Sequence, residues 1–227
     1  MRVLAIDTAL AACSAAVLDT AQGGIVASES VPMTRGHAEA LVPLVQRVMA
    51  KAGLTYSDID RVAVTTGPGS FTGLRVGIAA ARGIALAADK PAVGLSTLSA
   101  YAAPHMAEDN TLPVVAAIDA RHAHVYLQVF SPGGRTSSTP RLATLQEAVQ
   151  AASAAPACIV GSAAETVAAC LSKAGALPPT VDARTAPDIA WVARLGAAMP
   201  EDQAPPAPQY LRAPDAQPQN AAQLPRR

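Results

Sequence analysis

The chain has 227 residues, enough for one large domain or two small ones of about 100 residues each. Half of it is hydrophobic (51%), but 53 residues are alanine and only 3% are aromatic, so the core is aliphatic and built on small side chains. Lysine plus arginine and aspartate plus glutamate balance at 17 each, a formal charge of zero that argues against nucleic-acid binding by bulk charge.

In chain order, residues 1–7 read as a buried strand ending at Asp7, and residues 8–12 as a turn. Residues 13–18 and 24–31 read as further strands around the Gly23–Gly24 turn. The period then changes: Leu41, Val42, Val45, Val48 and Met49 recur at three- and four-residue spacing, one face of a helix that Gly53 stops. Residues 61–66 form a fourth strand. Gly67-Pro68-Gly69-Ser70 forbids regular structure, and a long helix follows from Thr72 to about residue 88. A fifth strand (91–95) and a short helix (97–107) complete the first half. The order then repeats: strands at 114–119, 123–130 and 139–143, then a helix at 144–153 with the capping-box pair Thr144 and Glu147. A strand at 157–160, a helix at 163–174, a weak strand at Val181 and a helix at 188–199 follow. The repeat predicts an α/β protein of two lobes, 1–107 and 108–199, each with a mixed sheet and flanking helices. Seven prolines in residues 200–227 mark a tail, in which Tyr210-Leu211-Arg212 is the one cluster fit to dock.

No segment reads as an export signal, because Asp7 ends the N-terminal apolar run too early; the expectation is a cytoplasmic protein. The longest apolar stretch, residues 76–88, is broken by Arg82 and shorter than a bilayer span, so no membrane is expected. Cys13, Cys158 and Cys170 have no Cys-x-x-Cys spacing and read as reduced thiols. No two histidines have metal-helix spacing, and Ser70 lacks the setting of a nucleophile elbow.

Two features could carry chemistry. The Gly67, Pro68, Gly69, Ser70 turn between a buried strand and a helix aims backbone amides and a helix dipole at one point, which suits a phosphate or carboxylate held weakly. It serves equally as a tight turn with no ligand. Asp7, followed by Thr8, and Asp119 end the first strand of each lobe. They either face a cleft, holding a metal-nucleotide or acting as base, or cap the turns after them. The long helix is apolar nearly all round, with Gly73, Gly77, Ala80, Ala81 and Ile84 along one side. Beside it the helix of Leu41, Leu44, Val45 and Val48 completes a candidate partner interface.

Four stretches fall in an order that resembles the TsaB (YeaZ) family: Leu4-Ala5-Ile6-Asp7-Thr8, the block from Gly67 to Gly77, Ile118-Asp119-Ala120-Arg121, and Pro208-Gln209-Tyr210-Leu211-Arg212. The resemblance implies the duplicated actin-like/Hsp70-like ATPase (RNase H-like) fold. It implies a non-catalytic scaffold subunit needed with TsaD and TsaE for threonylcarbamoyl transfer to the adenosine beside the anticodon of tRNAs. In TsaD a metal-binding His-x-Glu-Gly-His stretch follows the fifth strand; here Thr97 and Tyr101 stand at the two histidine positions, so no catalytic metal and no metalloprotease are expected. No cofactor is expected to bind tightly, with ATP or ADP held only at the interface with TsaD. The partners implied are TsaD in a heterodimer, TsaE, a homodimer when the chain is alone, and tRNA only through the complex. An autonomous ATPase or kinase using the cleft is the alternative.

Overall fold

A computed structural model describes residues 1–108, 111–176, 180–200 and 205–212. The first half is β1 (Arg2–Asp7), β2 (Ala12–Asp19), β3 (Gly24–Pro32), α1 (His37–Ala52), β4 (Arg61–Gly67), α2 (Phe71–Ala88), β5 (Ala92–Ser96) and α3 (Thr97–Glu108). The second half repeats it: β6 (Val114–Asp119), β7 (His124–Phe130), β8 (Arg141–Thr144), α4 (Leu145–Ser153), β9 (Cys158–Val160), α5 (Ala164–Lys173), β10 (Thr180–Asp182) and α6 (Ile189–Ala198). Short 3-10 turns at Thr20–Gln22 and Tyr56–Asp58 are the elements the sequence pattern did not flag. Each half forms a five-stranded sheet, in the orders β3-β2-β1-β4-β5 and β8-β7-β6-β9-β10. In both, the first three strands in sequence are antiparallel and the last two join in parallel.

β1 and β4 are apolar on both faces because both faces are covered, as central strands require. Leu4, Ile6, Val62 and Val64 meet Leu41, Leu44, Val45 and Val48 of α1 and Leu74, Ile78 and Ala81 of α2. On the other face Val3, Ala5 and Ala63 meet Val192 and Ala193 of α6. A methyl group added to Gly196 would stand 2.3 Å from the Ala63 side chain. The high alanine content is thus a packing requirement here, since larger side chains would push helix and sheet apart.

The two halves exchange their last helices. α3 lies between the sheets, where Leu98, Tyr101 and Ala102 cover Val114, Ala116 and Ile118 of the second sheet. α6, from the second half, covers the first sheet. The layers are therefore α1 and α2, first sheet, α3 and α6, second sheet, α4 and α5. A boundary at 107/108 separates the sheets but parts each from the helix on its inner face. Arg61, 1% exposed, locks α6 in place by donating from Nη1 to the carbonyls of Gly196 (2.9 Å) and Met199 (2.6 Å).

Local signals account for the helix ends. Thr144 and Glu147 form the expected capping box of α4. Gly53 closes α1 with φ 67°. The Ser70 hydroxyl caps α2 by accepting from Gly73 N–H at 3.3 Å. At 18 residues, α2 is long and apolar enough by length and composition to cross a bilayer, longer than the stretch read from the sequence. It serves instead to cover the first sheet, with Arg75 and Arg82 turned outward.

Candidate functional site

A cleft of about 600 Å³ opens between the lobes, the size of a small-molecule site. Its floor on the first lobe is the β4–α2 loop. Its far wall is the β6–β7 hairpin with Asp119 and Arg121, and a third wall is the chain near Tyr210 and Arg212.

The glycines of the loop answer to sterics. A Cβ on Gly69 would lie 2.4 Å from the Ala9 carbonyl oxygen, on Gly73 2.1 Å from that of Thr8, and on Gly77 2.4 Å from Thr8 Oγ1. Thr8 in turn donates its hydroxyl to the Gly73 carbonyl at 2.7 Å, and Ser70 N–H donates to the Ala9 carbonyl at 2.7 Å. The start of α2 is thus laid directly on the turn after β1. The Gly67–Pro68 peptide is cis and offers no amide at residue 68. With Ser70 N–H committed to Ala9 and Gly73 N–H to the Ser70 hydroxyl, the turn presents fewer free donors than an anion cradle built on all its amides.

Asp7 does not face the cleft. Its carboxylate is fully buried; Oδ1 accepts from the Thr65 hydroxyl and from Ala9 N–H (3.1 Å). Burial pushes its pKa up, against the lowering effect of those hydrogen bonds. This is the turn-capping role, and it corrects the pairing of Asp7 with Asp119 as two cleft carboxylates. Asp119 does reach the cleft, exposed, and accepts from Arg121 N–H at 2.8 Å. The residues that follow it are unusual: Arg121, His122 and Ala123 all adopt positive φ, 63°, 52° and 58°. Side chains with a Cβ rarely take that conformation, at about 1–2 kcal/mol each.

Several candidate interface residues need the same correction. Leu41, Leu44, Val45, Val48, Gly73, Gly77 and Ala81 are buried against the first sheet, and of these Leu41 and Val45 reach the floor of a groove between α1 and α2. The reason is helical geometry: on α2 the positions 73, 77, 81 and 85 form the inner face. Ala80 and Ile84 are half-buried and, with Val42, Tyr56 and Gly83, line a shallow groove of about 220 Å³ between α1 and α2. Val42 (52% exposed) and Tyr56 are the exposed large apolar residues of the groove, and Leu86 (84%) is exposed on α2 outside it.

At the start of α3, Thr97 and Tyr101 are both buried, and the Tyr101 hydroxyl donates to the Arg184 carbonyl at 3.0 Å. Among the described residues there is no group of three or more His, Cys, Asp or Glu placed to hold a metal ion. Cys13 and Cys158 are buried, and loss of solvent pushes both thiols up to about 11. His105 Nε2 lies 2.8 Å from Asp182, whose carboxyl Arg184 and His105 hold down at about 2.

The residues missed from sequence are Phe71 and Arg75, against which the Tyr210 cluster docks on the cleft's aromatic side. The Arg75 guanidinium lies 3.7 Å from the centre of the Phe71 ring and donates to the Tyr210 hydroxyl at 3.0 Å. The Phe71 and Tyr210 rings stand 5.0 Å apart. The apolar cluster at Tyr210 was the available signal; its partner lies 139 residues earlier and sequence gives no distance between them.

Comparison with known proteins agrees with this architecture. Residues 11–165 match the family model for TsaD, tRNA N6-adenosine threonylcarbamoyltransferase. The Escherichia coli tRNA threonylcarbamoyladenosine biosynthesis protein TsaB is 42% identical over 56% of this chain and 53% of its own length, so the chain spans about half the length of that curated relative. An uncharacterized protein of Mycobacterium tuberculosis is 36% identical over 95% of this chain and 94% of its own. The solved structure of YeaZ from Pseudomonas aeruginosa superposes with a TM-score of 0.76 at 29% identity, covering 92% of this chain and 99% of that one. The likeness runs through both sheets, with the duplicated actin-like fold, and on that ground the chain belongs to the TsaB/YeaZ family.

Proposed function

We propose that this chain works in tRNA threonylcarbamoyladenosine synthesis as a non-catalytic subunit, acting with TsaD and TsaE in threonylcarbamoyl transfer to the adenosine beside the anticodon. The observation that carries this reading is the start of α3. Thr97 and Tyr101 are buried, neither is a ligand for a catalytic metal, and the Tyr101 phenol is committed to the Arg184 carbonyl. Its one cleft-facing carboxylate among the first-strand aspartates is Asp119, since Asp7 is fully buried beneath the turn that its Oδ1 caps. The names of its relatives supply the pathway.

The surface we assign to TsaD is the outward side of α1 and α2 around Val42, Ala80, Gly83, Ile84 and Leu86. Small residues there let a partner helix approach closely, and exposed aliphatic side chains gain from being covered. A second copy of the chain takes the same face when TsaD is absent. ATP or ADP is held at the interface with TsaD and only weakly by this chain, and tRNA is reached through the complex.

Reconstitution tests the reading. Purified chain, TsaD and TsaE are incubated with tRNA, ATP and a threonylcarbamoyl donor, and the nucleosides are read by mass spectrometry. Modified adenosine is expected from the full mixture and at background when this chain is omitted, with no ATP turnover by the chain alone. Robust ATP hydrolysis by the isolated chain would favour the autonomous ATPase instead.

A further inference from the structure

We infer that residues 205–212 form a strap that ties the two lobes together across the mouth of the cleft. The strap leaves the edge of the first sheet and ends on the second lobe. Pro206 packs over Gly94 of β5; Gln209 N–H donates to the Thr66 carbonyl at 2.8 Å; and the Tyr210 ring stacks on Phe71 with its hydroxyl held by Arg75. Arg212 Nη1 then donates to the Ala120 carbonyl at 3.0 Å, on the β6–β7 hairpin.

The docking groove is cut into the first lobe by two glycines. A Cβ on Gly67 would meet the Gln209 carbonyl oxygen at 2.8 Å, and a Cβ on Gly94 would meet the Thr66 side chain at 2.6 Å and then the Pro206 side chain at 3.1 Å. A larger residue at Gly67 would push the strap off β4, and one at Gly94 would crowd both Thr66 and the strap. Gly67 also has φ 118°, a conformation side chains rarely adopt. The strap's far end grips the residue just before Arg121, His122 and Ala123, the three consecutive left-handed residues of the hairpin. α3 and α6 hold the lobes together behind the cleft, and the strap fixes its front. It sets the separation between the Gly67–Ser70 turn and the Asp119 hairpin, and its release lets that hairpin move.

Hydrogen exchange followed by mass spectrometry on the full chain tests this. Arg212→Ala removes the bond to the second lobe. The expected result is at least about tenfold faster exchange of the amides at 119–124, from the loss of a charged hydrogen-bond donor, with the amides of β1 and of residues 114–118 unchanged. Arg212→Lys, which keeps a donor, should restore most of the protection. Tyr210→Phe keeps the ring but loses the bond to Arg75, and should speed exchange only around residues 66–72. Wild-type exchange at 119–124 in Arg212→Ala overturns the strap. So does a uniform rise across both sheets, which would make the segment a prop for the whole fold.

Discussion

Gly77 carries a demand that its neighbours impose. Its hydrogen faces Thr8 Oγ1, and a methyl in its place would stand 2.4 Å from that oxygen, whose hydroxyl is bonded to the Gly73 carbonyl. Gly77→Ala should therefore destabilise the fold by about 1–3 kcal/mol through overpacking, read as a lower urea midpoint at unchanged slope. A bulkier residue at Gly77, or a charge at the fully buried Ala81, would unfold the chain before it could report on any partner. Asp7 makes a second residue-scale case. Its folded pKa is raised above the ordinary 3.8, so its contribution to stability is full below that value and is lost as pH rises through the raised one. Asp7→Asn keeps the oxygen that accepts from Ala9 and Thr65 but cannot ionise. Its stability relative to wild type should grow as pH rises from about 4 to 8, by denaturant midpoints at each pH; a flat difference would mean that Asp7 is not penalised by burial.

At the scale of the element, the helices and strands were legible because their signals are local. The three- and four-residue spacing in α1, the capping box of α4 and the Gly-Pro-Gly turn before α2 need only a few neighbouring residues to act. Which side of α2 faces inward was not legible. Glycine and alanine run all round that helix, so no hydrophobic stripe marks a preferred face. Contact with Thr8 and Val64 selects the side of Gly73, Gly77 and Ala81, and leaves Leu86 outward. The corresponding partner test uses outward residues: Leu86→Asp and Val42→Asp should leave the melting temperature unchanged while abolishing co-purification with TsaD. A folded double variant that still co-purifies at wild-type yield would place the TsaD contact elsewhere.

At the scale of the molecule, the exchange of α3 and α6 binds the halves into one cooperative body. A chain of residues 1–107 lacks α6, and so leaves Val3, Ala5, Ala16, Ala63 and Val93 of the first sheet without their cover. It should bind a hydrophobic dye and melt without a cooperative transition, by near-ultraviolet circular dichroism; a sharp native-like melt would show that α6 is dispensable to that sheet. The amino-acid sequence by itself determined the duplicated order of strands and helices, the turns between them and the family, because alternation, capping and glycine turns act over a few residues. The tertiary structure alone decided that Asp7 is buried while Asp119 is not, that the small-residue side of α2 faces its own sheet, and that α3 and α6 trade sheets. It also decided that the tail crosses from Gly94 to Ala120. Those outcomes depend on close approach between residues far apart in the chain, and the room left beside a glycine or alanine is set by what packs against it.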